Sequence, residues 1–210
     1  MIISTFSFTL MNSVVKYLSG FPTFEIVFFR SLGSFVLGTT FILWKGIDIW
    51  GNKRSLMLLR SIIGLTAMSL FFMSLKYLSV GTAVSLRYLS PIFATFFALI
   101  LLKEKLKPLQ WPLFFMAFLG VLVLKGFDGA IDNTGLVLIL AASVFSGLVY
   151  VAIRRIGKSD KPIVIVNYFM FVGTVIGGVL SLFNWKNPEG NDWLLFLSLQ
   201  NQFSGAIKIY

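Results

Sequence analysis

The sequence predicts an all-α protein, a polytopic bundle of transmembrane helices, and three observations carry this prediction. Of the 210 residues, 57% are hydrophobic and only 12% are charged, and the mean hydropathy is +0.89. A soluble domain carries about 25% charged residues and cannot hide this much apolar surface in one core. Apolar runs of roughly 20 residues, long enough to cross about 30 Å of hydrocarbon, recur between short polar breaks.

The formal net charge of +10 would indicate a nucleic-acid partner in a soluble protein. Here the basic residues fall in the breaks between apolar runs and leave no basic face elsewhere, so no nucleic-acid partner is predicted. The sequence contains no cysteine and no histidine. Disulfides and thiolate metal sites are excluded, and the commonest general base and metal ligand is missing. We predict no metal site and no cofactor.

The apolar runs predict seven complete helices and a shortened eighth. The first run, 2–18, has no basic n-region and no cleavage pattern, so it is expected to be a retained helix and not a signal peptide. Because it is the shortest, it is either trimmed at its start or relies on Lys16 snorkelling outward. The later spans are predicted at 24–44, 57–77, 80–102, 108–125, 134–153 and 162–183, and the eighth begins at Trp193.

The distribution of basic residues predicts the orientation, because cytoplasmic connections carry an excess of lysine and arginine. The connections after the second, fourth and sixth spans are assigned eleven: Lys45, Lys53, Arg54, Arg60, Lys103, Lys105, Lys107, Arg154, Arg155, Lys158 and Lys161. The connections after the odd spans are assigned four: Lys16, Lys76, Lys125 and Lys186. The even connections and the N-terminus are therefore expected in the cytoplasm.

A weak internal similarity relates residues 1–44 to residues 144–183 and places Lys16 opposite Arg154. Five spans separate the two copies, and because five is odd, the second copy runs in the opposite direction. Inverted repeats of this kind frame a site near the midplane of secondary transporters. Hydrophobicity shared by all membrane helices is the alternative explanation.

Three segments carry motifs. They are FEIVFFRSLGS at 24–34, the stretch 58–106 with its Arg-x-x-x-Gly start, KYLS, LSP and LLKEKL, and LILAASVFSGLVYVAIRRI at 138–156. Together they resemble the EamA family of the drug/metabolite transporter superfamily, in which they match the start of the second helix, the third and fourth helices, and the start of the second repeat. The similarity covers essentially all of the chain, and the middle stretch is its most specific part.

The resemblance implies a carrier of ten helices in two inverted five-helix repeats, moving metabolites or drugs across a bacterial inner membrane. Residues 1–126 are then the first repeat, with a trimmed N-terminus, and residues 134–210 an incomplete second repeat. The expected protein is a multi-pass inner-membrane protein with a cytoplasmic N-terminus. Its expected function is secondary transport of a small organic metabolite or drug. Because the sequence stops within the eighth helix, a truncated, non-transporting remnant is the alternative.

Two arginines inside predicted spans are the first candidates for substrate binding. Arg30 lies about 9 Å and Arg87 about 10 Å from the outer ends of their helices, and a charge at such depth costs at least about 2–3 kcal/mol. Two guanidinium groups at one level would form a layer that binds an anionic or zwitterionic substrate. The alternatives are pairing with Glu25 or snorkelling for Arg30, and bonding to carbonyls loosened by Pro91 for Arg87.

Further polar residues within the spans could line the same cavity. Pro91 is predicted to break or kink the fourth helix, because it lacks a backbone donor and disturbs the carbonyl of Arg87. Asn12, Ser85 and Tyr88 are the other candidate substrate-binding residues. For each of them, a hydrogen bond between helices is the alternative to a cavity role.

Other function classes fit the sequence less well. An intramembrane lipid-modifying enzyme would need clustered acidic, histidine or nucleophilic residues, and the sequence has no HExxH, DxxD or GxSxG motif, so no enzyme activity is predicted. The sequence offers few titratable groups that could carry a coupling proton, since it has no histidine and Glu25 is placed at the mouth of its helix. The pair Gly173 and Gly177 has the spacing of close helix packing, and a homodimer face is its second interpretation.

Overall fold

The computed structural model describes residues 2–102, 132–157, 159–190 and 192–199, together with positions 112, 115, 116, 119, 120 and 123. Within this part of the chain every regular element is a helix, and the predicted all-α class is confirmed. Five helices found there are long and apolar enough to cross a membrane: Thr23–Trp44, Arg54–Ser74, Val80–Leu102, Asn133–Ile156 and Pro162–Asn184. The predicted span 108–125 lies largely outside the described residues.

The helices follow the predicted spans closely. Their bounds are α1 Ile2–Tyr17, α2 Thr23–Trp44, α3 Arg54–Ser74, α4 Val80–Arg87, α5 Ser90–Leu102, α6 Asn133–Ile156, α7 Pro162–Ser181 and α8 Asp192–Ser198. Helix α3 ends three residues before the prediction, because the N–H groups of Tyr77 and Leu78 both turn back to the carbonyl of Ser74. Within the described part of the chain, five basic residues that were counted with the connections lie inside helices: Lys16, Arg54, Arg60, Arg154 and Arg155. Four of them lie in the first or last turn of their helix, whereas Arg60 lies six residues after the start of α3.

The contacts divide the chain into two compact units. The first unit comprises Met1–Leu65 and Ile156–Tyr210, and the second comprises Thr66–Arg155. Helices α1, α2 and α7 belong to the first unit, whereas α4, α5 and nearly all of α6 belong to the second. Helix α3 is shared, because the division falls within it.

In the first unit, α2 and α7 pack closely because small residues line their contact. A Cβ atom on Gly173 would lie 2.5 Å from Oγ of Ser31, and one on Gly177 would lie 3.2 Å from the backbone nitrogen of Phe28. Further along the same contact, the side chains of Thr39 and Asn167 hydrogen-bond at 3.3 Å. The glycine pair therefore serves packing within the chain.

One end of the first unit is held by hydrogen bonds between two connections; we call it the hydrogen-bonded end (residues 50–53 with 156–160). The carboxylate of Asp160 accepts the backbone N–H groups of Asn52 and Lys53, the latter at 3.3 Å, and the hydroxyl of Ser159 at 2.9 Å. The ammonium group of Lys53 donates to the carbonyl of Ile156 at 3.1 Å. The hydrogen bond from the Asn52 backbone is the main cause that holds the pKa of Asp160 below its ordinary value.

The opposite end of α2 lies in a group of rings; we call it the aromatic end (Phe21, Phe29, Trp185, Trp193 and Phe196). The ring of Phe29 lies 4.6 Å from that of Phe196, 5.7 Å from that of Trp193 and 5.8 Å from that of Trp185. Phe21 meets Phe196 edge to face at 5.3 Å. Offset and edge-to-face pairs of this kind are the favoured ring geometries.

In the second unit, the helix that contains Pro91 is divided. Helix α4 is capped at its start by Ser79, whose hydroxyl accepts the N–H of Thr82 at 3.1 Å, and it ends at Arg87. Two turn residues, 88 and 89, separate it from α5. Because Pro91 has no N–H and its ring crowds the carbonyl four residues earlier, the helical ladder does not run through this point.

Candidate functional site

Asn12 lies on the inward face of α1, together with the buried residues Met11, Val15 and Leu18. Its side chain is fully buried, at 0% exposure, and neither its Oδ1 nor its Nδ2 atom has a hydrogen-bond partner. A buried amide without partners is unfavourable by roughly 1–3 kcal/mol. Such a group inside a helical membrane bundle is available to bind a polar ligand.

Arg30 lies seven residues after Thr23, the first residue of α2, so about 10 Å along the helix. The inward face of α2 is a stripe of small or apolar residues at helical spacing: Val27, Ser31, Ser34, Gly38 and Ile42. Arg30 borders this stripe and is partly buried. It lies in the first unit, as Asn12 does.

Arg87 is the last residue of α4, seven residues after Val80, and it belongs to the second unit. Its guanidinium carbon lies 4.6 Å from the centre of the Phe71 ring, which is itself buried at 1% exposure. A cation over a ring face is attracted by the negative charge density of that face. The ring of Phe71 therefore helps to hold the position of the Arg87 charge.

Ser85, Tyr88 and Pro91 are exposed, Tyr88 at 74%. Ser85 and Tyr88 are three residues apart, so they lie on one face of the chain as it leaves α4. Leu86 between them is buried, and its carbonyl accepts the hydroxyl of Ser143 from α6 at 3.3 Å. The structure thus places these three candidates on the outer surface of the second unit and Asn12 in the interior of the first.

Glu25 is more deeply buried than the sequence indicated. It is at 0% exposure, its Oε2 accepts the backbone N–H of Lys186 at 3.2 Å, and its Oε1 has no partner. The sequence could not show this, because the burial arises from the segment after α7, which returns to the start of α2. The position of Glu25 beside the helix start was the one available signal.

Asp132 and the distribution of possible metal ligands are the remaining polar features considered for the site. The carboxylate of Asp132 caps the start of α6 by accepting the N–H groups of Thr134 at 2.7 Å and Gly135 at 3.1 Å. The hydrogen bond from Gly135 is the main cause that lowers the pKa of Asp132. Across the described residues, no group of three or more acidic, histidine or cysteine side chains is placed to hold a metal ion.

Several relatives of this chain are named as transporters. The chain is 26% identical to the pseudopaline exporter CntI of Pseudomonas aeruginosa over 201 residues, which cover 94% of this chain and 71% of the exporter. It is 26% identical to human solute carrier family 35 member G1, with 94% of this chain and 60% of the relative covered. It is 23% identical to a riboflavin transporter of Vibrio cholerae, with 94% and 68% covered.

The fold is also found among solved structures. One protein crystal structure matches with a TM-score of 0.64 at 19% identity, over 94% of this chain and 72% of the other. At this identity the match supports the helical fold. A model of the EamA-like transporter family matches residues 1–125, which include α1 to α5 and both candidate arginines. The protein therefore belongs to the EamA-like transporter family of small-molecule transporters, as the sequence motifs predicted.

Proposed function

We propose that this chain acts in secondary transport of a small organic anion or zwitterion across the bacterial inner membrane. Family membership supports transport of a small molecule, and the relatives' names favour a carrier over an enzyme. The observation that carries the proposal is Asn12. Its amide is fully buried in the bundle with both polar atoms unpartnered, which is the condition expected of a group that binds a polar ligand.

The anionic character of the substrate is argued from Arg30 and Arg87. Each lies seven residues into its helix, where a charge costs about 2.5–3.5 kcal/mol and so calls for a role. Guanidinium groups bind carboxylates and phosphates with two parallel hydrogen bonds. Asn12 would supply a neutral hydrogen-bonding group, and Ser85 and Tyr88 would act nearer the surface of the second unit.

The proposed organisation is that of two inverted repeats, 1–126 and 134–210, with the N-terminus in the cytoplasm. Leaving out Arg60, ten basic residues are assigned to the even connections and the helix ends beside them, against four at the odd ones, so the charge bias that supports this orientation remains. A homodimer stays a prediction. Chemical cross-linking of the protein in native membranes would test it.

The test is transport by purified protein in liposomes, using a mixture of organic metabolites to find what the parent chain carries. For an anionic substrate, Arg30→Gln and Arg87→Gln should each lower uptake about tenfold or more, because a charge-assisted hydrogen bond contributes roughly 1.5–3 kcal/mol. Arg155→Gln is the matched control, since Arg155 lies in the exposed last turn of α6. Unchanged uptake of every anionic substrate in both variants would refute the proposed site.

A further inference from the structure

Helix α3 carries a charge that the proposed function does not use. Arg60 lies six residues after Arg54, the first residue of the helix, about 9 Å along its axis. Its Nε and Nη1 atoms are buried, and neither has a hydrogen-bond partner. Buried donors without partners are unfavourable, and more so when they carry charge. A buried charge of this kind calls for a bound partner.

The surroundings of Arg60 orient the guanidinium without satisfying it. The ring of Phe169 on α7 lies against it, with 5.0 Å between the guanidinium carbon and the ring centre. Stacking of this kind uses the flat face of the cation and leaves its N–H edges for a carboxylate or phosphate. Neighbouring Ser61 donates its hydroxyl to the carbonyl of Met57 at 2.7 Å, and it accepts no hydrogen bond from the Nε or Nη1 atom of Arg60.

Four of the five acidic side chains of the first unit accept other hydrogen bonds, and the fifth, Glu189, is exposed. Glu25 accepts from Lys186, Asp48 from the backbone of Trp50, Asp160 from Asn52, and Asp192 from the backbone of Glu189. No ion pair between Arg60 and a carboxylate occurs in the part of the chain that the structure describes. The charge of Arg60 is therefore not neutralised by a described acidic side chain.

We infer that Arg60 is an anion-binding site, separate from the Arg30 and Arg87 candidates, that takes a carboxylate or phosphate group entering from the end of α3 where Lys53 and Arg54 lie. This inference deepens the proposed function and rests on it. The two basic residues raise the local concentration of anions at that entrance. The anionic group belongs either to a free substrate or to the headgroup of an anionic lipid, which present the same chemistry.

The experiment uses the parent chain, without substitutions, in lipid nanodiscs and measures the chemical reactivity of each arginine side chain separately. Phenylglyoxal modifies accessible arginine side chains, and mass spectrometry of peptides gives the rate at each position. One arm uses phosphatidylcholine alone with increasing inorganic phosphate or succinate, and the other uses phosphatidylglycerol without added anion. Arg155 is the internal control, because it is exposed in the last turn of α6 and belongs to the second unit.

We expect modification of Arg60 to slow about threefold at twice the half-saturating anion concentration, with Arg155 unchanged. Slowing by phosphate or succinate assigns the site to a free anion, and slowing only by phosphatidylglycerol assigns it to a headgroup. Equal slowing at both arginines, no slowing at Arg60, or no modification of folded Arg60 while the denatured chain reacts would overturn the inference.

The same spectra separate this inference from the proposed function. Protection of Arg30 and Arg87 without protection of Arg60 leaves the proposed function standing and removes the Arg60 site. Protection of Arg60 alone supports the Arg60 site and removes the proposed binding roles of Arg30 and Arg87.

Discussion

The two ends of the first compact unit are held together in different ways. At the hydrogen-bonded end, the carboxylate of Asp160 receives two backbone N–H groups from a connection more than a hundred residues away, and Tyr168 donates its hydroxyl to the carbonyl of Trp50 at 2.8 Å. At the aromatic end, five rings contact one another through their faces and edges.

The difference teaches how each end is expected to respond to change. Hydrogen bonds to one carboxylate require defined distances and angles, so they are either formed or lost. Ring contacts tolerate rotation and sliding, because each contributes only about 0.5–1.5 kcal/mol beyond its buried area and several geometries are nearly equal. We therefore expect substitutions at the hydrogen-bonded end to act sharply and those at the aromatic end to act gradually.

The largest effect is expected from Asp160→Ala. The substitution leaves the N–H groups of Asn52 and Lys53 without their acceptor, which should lower the free energy of unfolding by about 3 kcal/mol. Titration of the purified chain with dodecyl sulfate measures this. Asp160→Asn is the control, because its carbonyl oxygen retains one acceptor, and it should show a smaller loss. Equal stability of all three proteins would contradict the hydrogen-bonded end as a source of stability.

The second prediction compares two glycines, Gly51 at the hydrogen-bonded end and Gly46 outside it. Gly51 and Gly46 have nearly the same backbone angle, φ +59 and +61, where a side chain is strained. A Cβ atom on Gly51 would lie 2.7 Å from Oδ1 of Asp160, whereas one on Gly46 would meet nothing within 4 Å. We expect Gly51→Ala to destabilise by about 2 kcal/mol and Gly46→Ala by about 1 kcal/mol. Equal losses would show that backbone strain alone acts at both positions.

The helical fold could be predicted from the sequence because it depends on local properties. Hydropathy and length fix a membrane helix almost without reference to its neighbours, so the spans at 24–44 and 162–183 agree with α2 and α7. Arg60 was counted with a connection although it lies within the predicted span 57–77, and the structure places it six residues after the start of α3. The N–H groups of residues 52 and 53 turn toward Asp160, and α3 begins directly afterwards.

The candidate site was harder to predict because burial depends on which distant segments return to a residue. Asn12 was named from the sequence as one of several polar residues, and its isolation from partners is visible only in three dimensions. The closed environment of Glu25 depends on Lys186, 161 residues away. The binding roles of Arg30, Arg87, Ser85 and Tyr88 stay predictions, and the transport measurements described above address the two arginines.

The smallest effect is expected at the aromatic end, from Phe29→Leu. Leucine keeps most of the apolar volume but removes the contacts of the ring with Trp185, Trp193 and Phe196. Because the remaining rings can shift to fill the space, the loss should be about 1 kcal/mol, less than for Gly51→Ala. Phe183→Leu is the control, since Phe183 is 78% exposed, and it should leave stability unchanged. A loss at Phe29 as large as that at Asp160 would mean that the rings form a rigid unit, and the proposed contrast between the two ends would then be wrong.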